Sequence, residues 1–192
     1  MTGIILAGGA SRRMGTDKAF LNLGGVALIG RVVGLLRTVF SDIIIVTNKP
    51  YAFGKFGTVI VTDAFDCEGP LTGIYSGLSH ARDEYGFVVA CDMPFLNPSL
   101  ISFMAECAVG HEAVVPFLDG RYEPLHAVYR KTLLPAVRDR IETGKRRIQD
   151  LFQETAVLRV TEADVDRFDA AHRSFRNLNT PEEFEKEAVC AD

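Results

Sequence analysis

The densest group of residues able to handle an anion lies near the amino end, in Leu6-Ala7-Gly8-Gly9-Ala10-Ser11-Arg12-Arg13-Met14-Gly15-Thr16-Asp17-Lys18. Gly8, Gly9 and Gly15 let the backbone approach a ligand closely and adopt positive φ. Consecutive N–H groups in such a loop can form an anion-binding nest. Arg12, Arg13 and Lys18 add positive charge against Asp17 alone, a combination that suits a polyphosphate. Two familiar phosphate loops are excluded. The Walker pattern needs Lys directly after its last Gly, then Ser or Thr, whereas Gly15 is followed by Thr16-Asp17-Lys18. The dinucleotide pattern GxGxxG does not fit the spacing of Gly8, Gly9 and Gly15. Composition alone leaves an equal alternative, a surface loop with solvated arginines.

A second candidate is Asp92, in Phe87-Val88-Val89-Ala90-Cys91-Asp92-Met93-Pro94. Pro94 cannot continue a central strand, so Asp92 falls at a carboxyl end, beside which ligands bind in open α/β sheets. An acid there can hold Mg²⁺, which takes oxygen ligands and bridges substrate phosphates. On residue types alone, a turn or helix-capping aspartate is the stronger reading. His126 lies within an apolar stretch and reads as a packed or hydrogen-bonded core histidine rather than a base. Lys145-Arg146-Arg147 is a compact basic cluster, by itself a solvated helix end. Asn177 and Asn179 alternate on a short extended piece and so share one side. Asn179 is equally suited to capping the helix that Thr180-Pro181 begins and to a metal-side role.

These residues need elements to hold them. Apolar runs of strand length alternate with stretches of helical period. Strands are expected at Gly3–Gly8, Asp42–Thr47, Thr58–Thr62, Phe87–Cys91 and Ala156–Val160, and helices at Ala27–Phe40, Leu71–Arg82, Pro98–Cys107, Leu133–Gly144, Ile148–Gln153 and from Pro181. Strands apolar throughout imply burial on both faces, hence a parallel sheet between helices. Glu112–Leu118 and Tyr122–Tyr129 flank Asp119-Gly120 and are expected to pair as a hairpin. The expectation is one three-layer α/β/α, Rossmann-like domain over residues 1–192, with a mostly parallel sheet and an antiparallel insertion.

Composition sets the outer bounds. At 192 residues, 47% apolar and 24% charged, the chain can bury a core without a disulfide or structural metal. A net charge of -4 gives no bulk positive field for a nucleic-acid backbone, so no nucleic-acid partner is expected. Residues 161–192 hold nine acidic and four basic side chains, which leaves a nearly neutral body with basic spots. Cys67, Cys91, Cys107 and Cys190 form no CxxC pair and are read as reduced thiols of a cytoplasmic protein. No stretch approaches the ~20 apolar residues of a membrane helix, and the chain is expected to be a monomer.

The first motif, Leu6-Ala7-Gly8-Gly9 followed by Ser11, Arg13-Met14-Gly15 and Asp17-Lys18, resembles the signature of the molybdenum cofactor guanylyltransferases, the MobA family. These belong to nucleotidyltransferases with a nucleotide-diphospho-sugar transferase fold. Related cytidylyl- and sugar nucleotidyltransferases tend to carry Ala where Gly8 stands, so the Gly8-Gly9 pair favours the guanylyl branch. Cys91-Asp92-Met93-Pro94-Phe95-Leu96 resembles the family's metal motif, which reverses the odds on Asp92. The resemblance implies nucleotide contacts at Leu6, Ala7, Gly8, Gly9, Gly15, Lys18, Asn48, Asp63, Gly73 and Asp92. It implies catalytic roles for Arg13, Lys18 and Asp92, with Mg²⁺ on Asp92 as the cofactor. Gly69-Pro70-Leu71-Thr72-Gly73-Ile74 resembles a family loop beside the base and ribose. Gly120–Tyr129 resembles the acceptor side, Arg146 or Arg147 is expected to meet the acceptor, and Arg176–Glu183 resembles a segment that returns to the active site.

The reaction so implied is nucleotidyl transfer from GTP to molybdenum-molybdopterin, the amino half binding nucleotide and the carboxyl half the acceptor. Other proteins of molybdenum cofactor biosynthesis and apo-molybdoenzymes follow as partners. The alternatives are a related transferase using CTP or another phosphorylated acceptor, and a GTP-binding accessory domain without turnover.

Overall fold

The continuous apolar runs become the centre of the sheet, and the polar residues that follow them all emerge along one of its edges. The computed structural model describes residues 1–8, 18–67, 69–178, 183 and 187. β1 (Thr2–Leu6) is buried at every position. A 3-10 turn at Lys18–Phe20 leads into β2 (Asn22–Leu23) and β3 (Val26–Ala27), a small antiparallel ribbon that turns at Gly24 and Gly25, both at positive φ. Then come α1 (Leu28–Leu36), β4 (Ile43–Val46), α2 (Pro50–Phe53) and β5 (Val59–Val61). α3 (Pro70–His80), β6 (Tyr85–Ala90) and α4 (Pro98–Glu106) follow. The second half runs through β7 (Ala113–Leu118), β8 (Arg121–Tyr122), β9 (His126–Arg130), α5 (Leu134–Glu142), α6 (Ile148–Leu151), β10 (Val157–Thr161) and α7 (Glu162–Asp169).

The main sheet has the order β10-β7-β9-β6-β1-β4-β5, with β8 beside β7. β6, β1, β4 and β5 are mutually parallel, and β9 is antiparallel to both of its neighbours. This is the expected three-layer α/β arrangement with an antiparallel insertion. Alternate side chains of each strand feed opposite faces. Ile5, Ile43, Ile45, Phe87 and Val89 pack with Ile29, Val32 and Leu36 of α1, Leu100, Ile101 and Met104 of α4 and Val165 of α7. Ile4, Leu6, Ile44, Val46 and Val88 pack with Leu71, Ile74 and Leu78 of α3, Val137 and Ile141 of α5 and Ile148 and Leu151 of α6. A Cβ at Gly77 would fall inside contact distance of the Ile4 side chain, so only glycine lets α3 lie this close to β1. Among the described residues no helix is long and apolar enough to cross a membrane.

Three expectations need correction. The hairpin exists, but its second arm is not one strand. Phe117 pairs with Tyr122 and Leu118 with Arg121, whereas Ala113 pairs with Tyr129 and Val114 with Val128. The extra residues around Pro124, which cannot donate to a ladder, bulge out between β8 and β9. Second, α7 has no counterpart in the sequence reading, because Glu162–Asp169 is polar on most of its surface. Its start is a reciprocal cap: Thr161 Oγ1 accepts from the Asp164 N–H, and the Asp164 carboxylate accepts from the Thr161 N–H. Third, Gly73 lies inside α3, as the helix expected over Leu71–Arg82 has it, and not in the loop that the resemblance implies. The helix expected from Pro181 starts outside the described residues.

Candidate active site

Parallel strands bring the residues that follow them to one rim of the sheet. The ladder continues beyond the strands themselves. The Ala7 N–H donates to the Val46 carbonyl at 2.9 Å, the Thr47 N–H to Val61 at 2.9 Å and the Cys91 N–H to Leu6 at 3.1 Å. Leu6-Ala7-Gly8, Asn48, Asp63 and Asp92 are therefore set side by side by backbone bonds, at the carboxyl ends of β1, β4, β5 and β6. β1 has β4 on one flank and β6 on the other, so this is the point where strand order reverses and α/β sheets bind ligands.

Two corners make up this rim. In one, the Asn48 side-chain amide donates to Asp63 Oδ2 at 3.0 Å, and the Asp63 N–H returns a bond to Asn48 Oδ1 at 3.3 Å. A Cβ added to Gly8 would lie 3.9 Å from Asp63 Oδ2, so the β1 end borders the same pair. The other carboxylate oxygen, Asp63 Oδ1, is buried and accepts no hydrogen bond among the described residues. Burial raises the pKa of Asp63, against a smaller downward pull from Asn48. A buried acceptor without a donor is costly, and this one is ready for an N–H or O–H from a ligand.

The second corner pairs Asp92 with Lys18. Asp92 is half-buried, and its burial raises its pKa, while the charge of Lys18 pulls the pKa back down. Lys18, where the chain enters the first 3-10 turn, and the β6 end thus lie within electrostatic reach of each other. The Asp92 carbonyl is held from below by the Leu178 N–H at 3.0 Å. Among the described residues there is no cluster of three or more His, Cys, Asp or Glu that could hold a metal. A cation here would be bound by Asp92 with oxygens that a substrate or water supplies.

Of the remaining candidates, Gly73 is buried in the first turn of α3, where a Cβ would meet Leu6 at 3.1 Å; its place is close packing beneath the β1 end. Gly9, Arg12, Arg13, Gly15 and Asn179 lie outside the described residues. Asn177 is exposed beside the clipped Leu178. Arg146 and Arg147 are exposed just ahead of α6, and Tyr122 of β8 packs on Phe152 behind α6 with ring centroids 4.8 Å apart. The end of α6, which the basic turn precedes, is thus packed against β8.

His126 is a core residue. It is fully buried, with the Phe87 ring at 5.1 Å and the Phe175 ring at 4.8 Å, and neither ring nitrogen has a partner among the described residues. Burial depresses its pKa to about 3, so the imidazole is neutral. Cys67, Cys91 and Cys107 form no disulfide with one another, and Cys190 lies outside the described residues.

Comparison with known proteins decides the family. Residues 3–160 match the profile of the MobA-like NTP transferase domain. The chain belongs to the MobA-like NTP transferase family. Like the other members of the MobA-like family it is a nucleotidyltransferase. A molybdenum cofactor guanylyltransferase of Desulfosudis oleivorans is 39% identical over 188 residues, covering 97% of this chain and 93% of the relative. A probable molybdenum cofactor guanylyltransferase of Pelotomaculum thermopropionicum is 37% identical over 191 residues, covering 100% and 93%. Among solved structures, the molybdopterin-guanine dinucleotide biosynthesis protein A of Archaeoglobus fulgidus superposes with a TM-score of 0.84 at 27% identity, covering 100% of this chain and 99% of that one. Within this MobA-like chain, sequence reasoning missed Asp169, Ser174, Leu178 and Glu187, all buried in the carboxyl-terminal stretch. The only sequence signal for them was an apolar Leu178 between two asparagines.

Proposed function

We propose that this chain transfers GMP from GTP to the terminal phosphate of molybdenum-molybdopterin, giving the molybdopterin guanine dinucleotide form and pyrophosphate. The observation that carries the reading is the convergence of Lys18 and Asp92 at the sheet rim, in a chain of this family. An acceptor phosphate oxygen attacks the α-phosphorus, forming a P–O bond. The bond from that phosphorus to the bridging oxygen breaks, and pyrophosphate leaves with the electron pair.

Two anions must meet for this to happen. Like charges at ~4 Å repel by about 4 kcal/mol in a partly screened site, and several such pairs exist. Charge cancellation and alignment therefore make up most of the catalysis. Lys18 sits against the triphosphate, joined by Arg13 and the amides of the glycine-rich loop. Mg²⁺ fits the donor set, since it binds through one or two carboxylates and completes its shell with phosphate and water oxygens. Asp92 would hold it, and the bound ion would supply positive charge on the triphosphate. Leu6, Ala7 and Gly8 border the nucleoside, and Asn48 and Asp63 offer it a donor and an open acceptor. Arg146 and Arg147 attract the acceptor phosphate. The acceptor oxygen is already ionised near neutral pH, so neutral, buried His126 is not required as a base.

The test is product mass. With GTP, Mg²⁺ and the pterin acceptor, the protein should yield the guanine dinucleotide with one pyrophosphate per product, and GTP should compete out CTP and ATP. Preference for CTP would overturn the base assignment. Tight GTP binding without any product at saturating acceptor would overturn the reading of an enzyme.

A further inference from the structure

Leu178 meets the Asp92 turn and the leucines that follow Lys18, and it does so with different atoms. Its backbone N–H donates to the Asp92 carbonyl at 3.0 Å. Its side chain is completely buried with Leu23 and Leu28, with Leu21 and Phe95 packed against them, in a cluster separate from the two main cores. Leu21 closes the 3-10 turn that starts at Lys18, its N–H donating to the Lys18 carbonyl at 3.1 Å, while the Leu28 N–H donates to the Leu21 carbonyl at 3.0 Å. Leu21, which closes the Lys18 turn, is therefore packed against the cluster that holds the Leu178 side chain, and the Asp92 turn hangs on the Leu178 backbone.

The rest of the segment is fastened to the stretch following Asp92. The Asp169 carboxylate accepts from the N–H groups of Arg173 at 3.1 Å and Ser174 at 2.7 Å. Ser174 Oγ accepts from the Asn97 N–H at 3.1 Å, and the Asn97 side chain donates to the Phe168 carbonyl at 2.7 Å while capping α4. The Arg173 guanidinium lies 4.6 Å from the Phe95 ring centroid. Buried Glu187 pairs with both Arg173 and Arg176. Residues 173–178 thus run alongside residues 92–97 and are cross-linked to them at both ends.

We propose that this strap is a positioning device, in which Leu178 sets the separation of Lys18 from Asp92 and so the geometry in which triphosphate and cation are held. The proposal rests on the transferase reading above. Leu178 touches no substrate; it acts through the two residues that do. A leucine that only filled a gap would change stability and leave the catalytic pair aligned. A spacer, once shortened, lets the pair drift, and misplacement on the order of 1 Å costs about 100-fold in rate.

Two measurements on the full chain separate these roles. In Leu178→Ala, with the folded fraction fixed by circular dichroism, kcat should fall at least ~10-fold while the KM for GTP changes less than about 3-fold, and Leu178→Met should recover most of the loss. The second measurement needs no acceptor. GTP affinity in Mg²⁺ is measured by calorimetry for Lys18→Ala, Asp92→Asn and the double variant, first with Leu178 and then with Ala at that position. The two losses should be non-additive with Leu178 and additive without it. Coupling retained in the Leu178→Ala background, or kcat unchanged there, overturns the proposal. If Leu178→Ala does not fold, Leu178→Val carries the same cycle, and retained coupling in Val overturns it equally. Failure of the unaltered chain to bind GTP would instead strike the transferase reading, which keeps the two failures distinct.

Discussion

The two halves of the sheet treat titratable groups in opposite ways. Asp63 and Asp92 stand at the carboxyl ends of β5 and β6, partly buried, with their ionised forms destabilised by desolvation and with capacity left for a ligand. His126 opens β9 directly beside β6, opposite Val89, yet it is sealed between Phe87 and Phe175 and held neutral. Neighbouring strands thus carry a carboxylate left partly open at the rim and an imidazole sealed away from it. A polar residue at a strand end becomes functional when the crevice side is left open to partners. It becomes structural when another segment, here Arg173–Phe175, closes over it.

The sharpest way to break this contrast is Asp92→Ala. Turnover should drop by ~1,000-fold or more, read as pyrophosphate release, while circular dichroism stays unchanged. Asp92→Asn adds a stability reading. Because burial raises the folded pKa of Asp92, the ionised carboxylate costs stability at any pH above the ordinary value of 3.8, increasingly until its raised pKa is passed. Without ligand, Asp92→Asn should therefore melt at higher temperature than the unaltered chain at neutral pH. It should lose the upward shift that Mg²⁺ with GTP gives. Activity should also fall away on acidification at a higher pH than an ordinary aspartate would dictate.

Asp63→Ala tests the corner that Asp63 forms with Asn48. Removing the open acceptor should raise the KM for GTP by about 10- to 100-fold with a smaller change in kcat, since one buried hydrogen bond is worth ~1–3 kcal/mol. The closed side predicts stability instead of rate. With His126 depressed from 6.5 to about 3, the unfolded chain binds the extra proton between those values. Stability should therefore fall as pH drops below 6.5, by about 2 kcal/mol at pH 5. His126→Phe should flatten that dependence in urea melts between pH 5 and 7 and leave the neutral-pH KM for GTP unmoved. The smallest effect belongs to the exposed basic turn. Arg146→Ala and Arg147→Ala should each raise the acceptor KM by roughly 2- to 10-fold, because a solvent-screened charge contributes on the order of 1 kcal/mol.

The fold was largely legible because its strands are short runs such as Ile43-Ile44-Ile45-Val46, buried on both faces and not open to another reading. The rim residues were legible for the same reason, since Asn48, Asp63 and Asp92 follow such runs directly. α7 was not, because few of its residues are apolar and its stability comes from a cap and from Val165 and Phe168 meeting other elements. Nor was the bulge at Pro124 between β8 and β9, where tertiary pairing overrode a simple hairpin.

By itself the sequence determined the alternation of strands and helices, the glycine-rich basic loop and the acid before Met93-Pro94, all carried by residue type over a few neighbours. Tertiary structure decided which polar groups meet at the sheet rim. The Asn48–Asp63 pair, the Lys18–Asp92 approach and the Leu178 clip join residues far apart in the chain. Whether a carboxylate is half-buried beside a lysine or an imidazole is sealed among rings depends on which distant segment packs over it, and no local pattern encodes that contact.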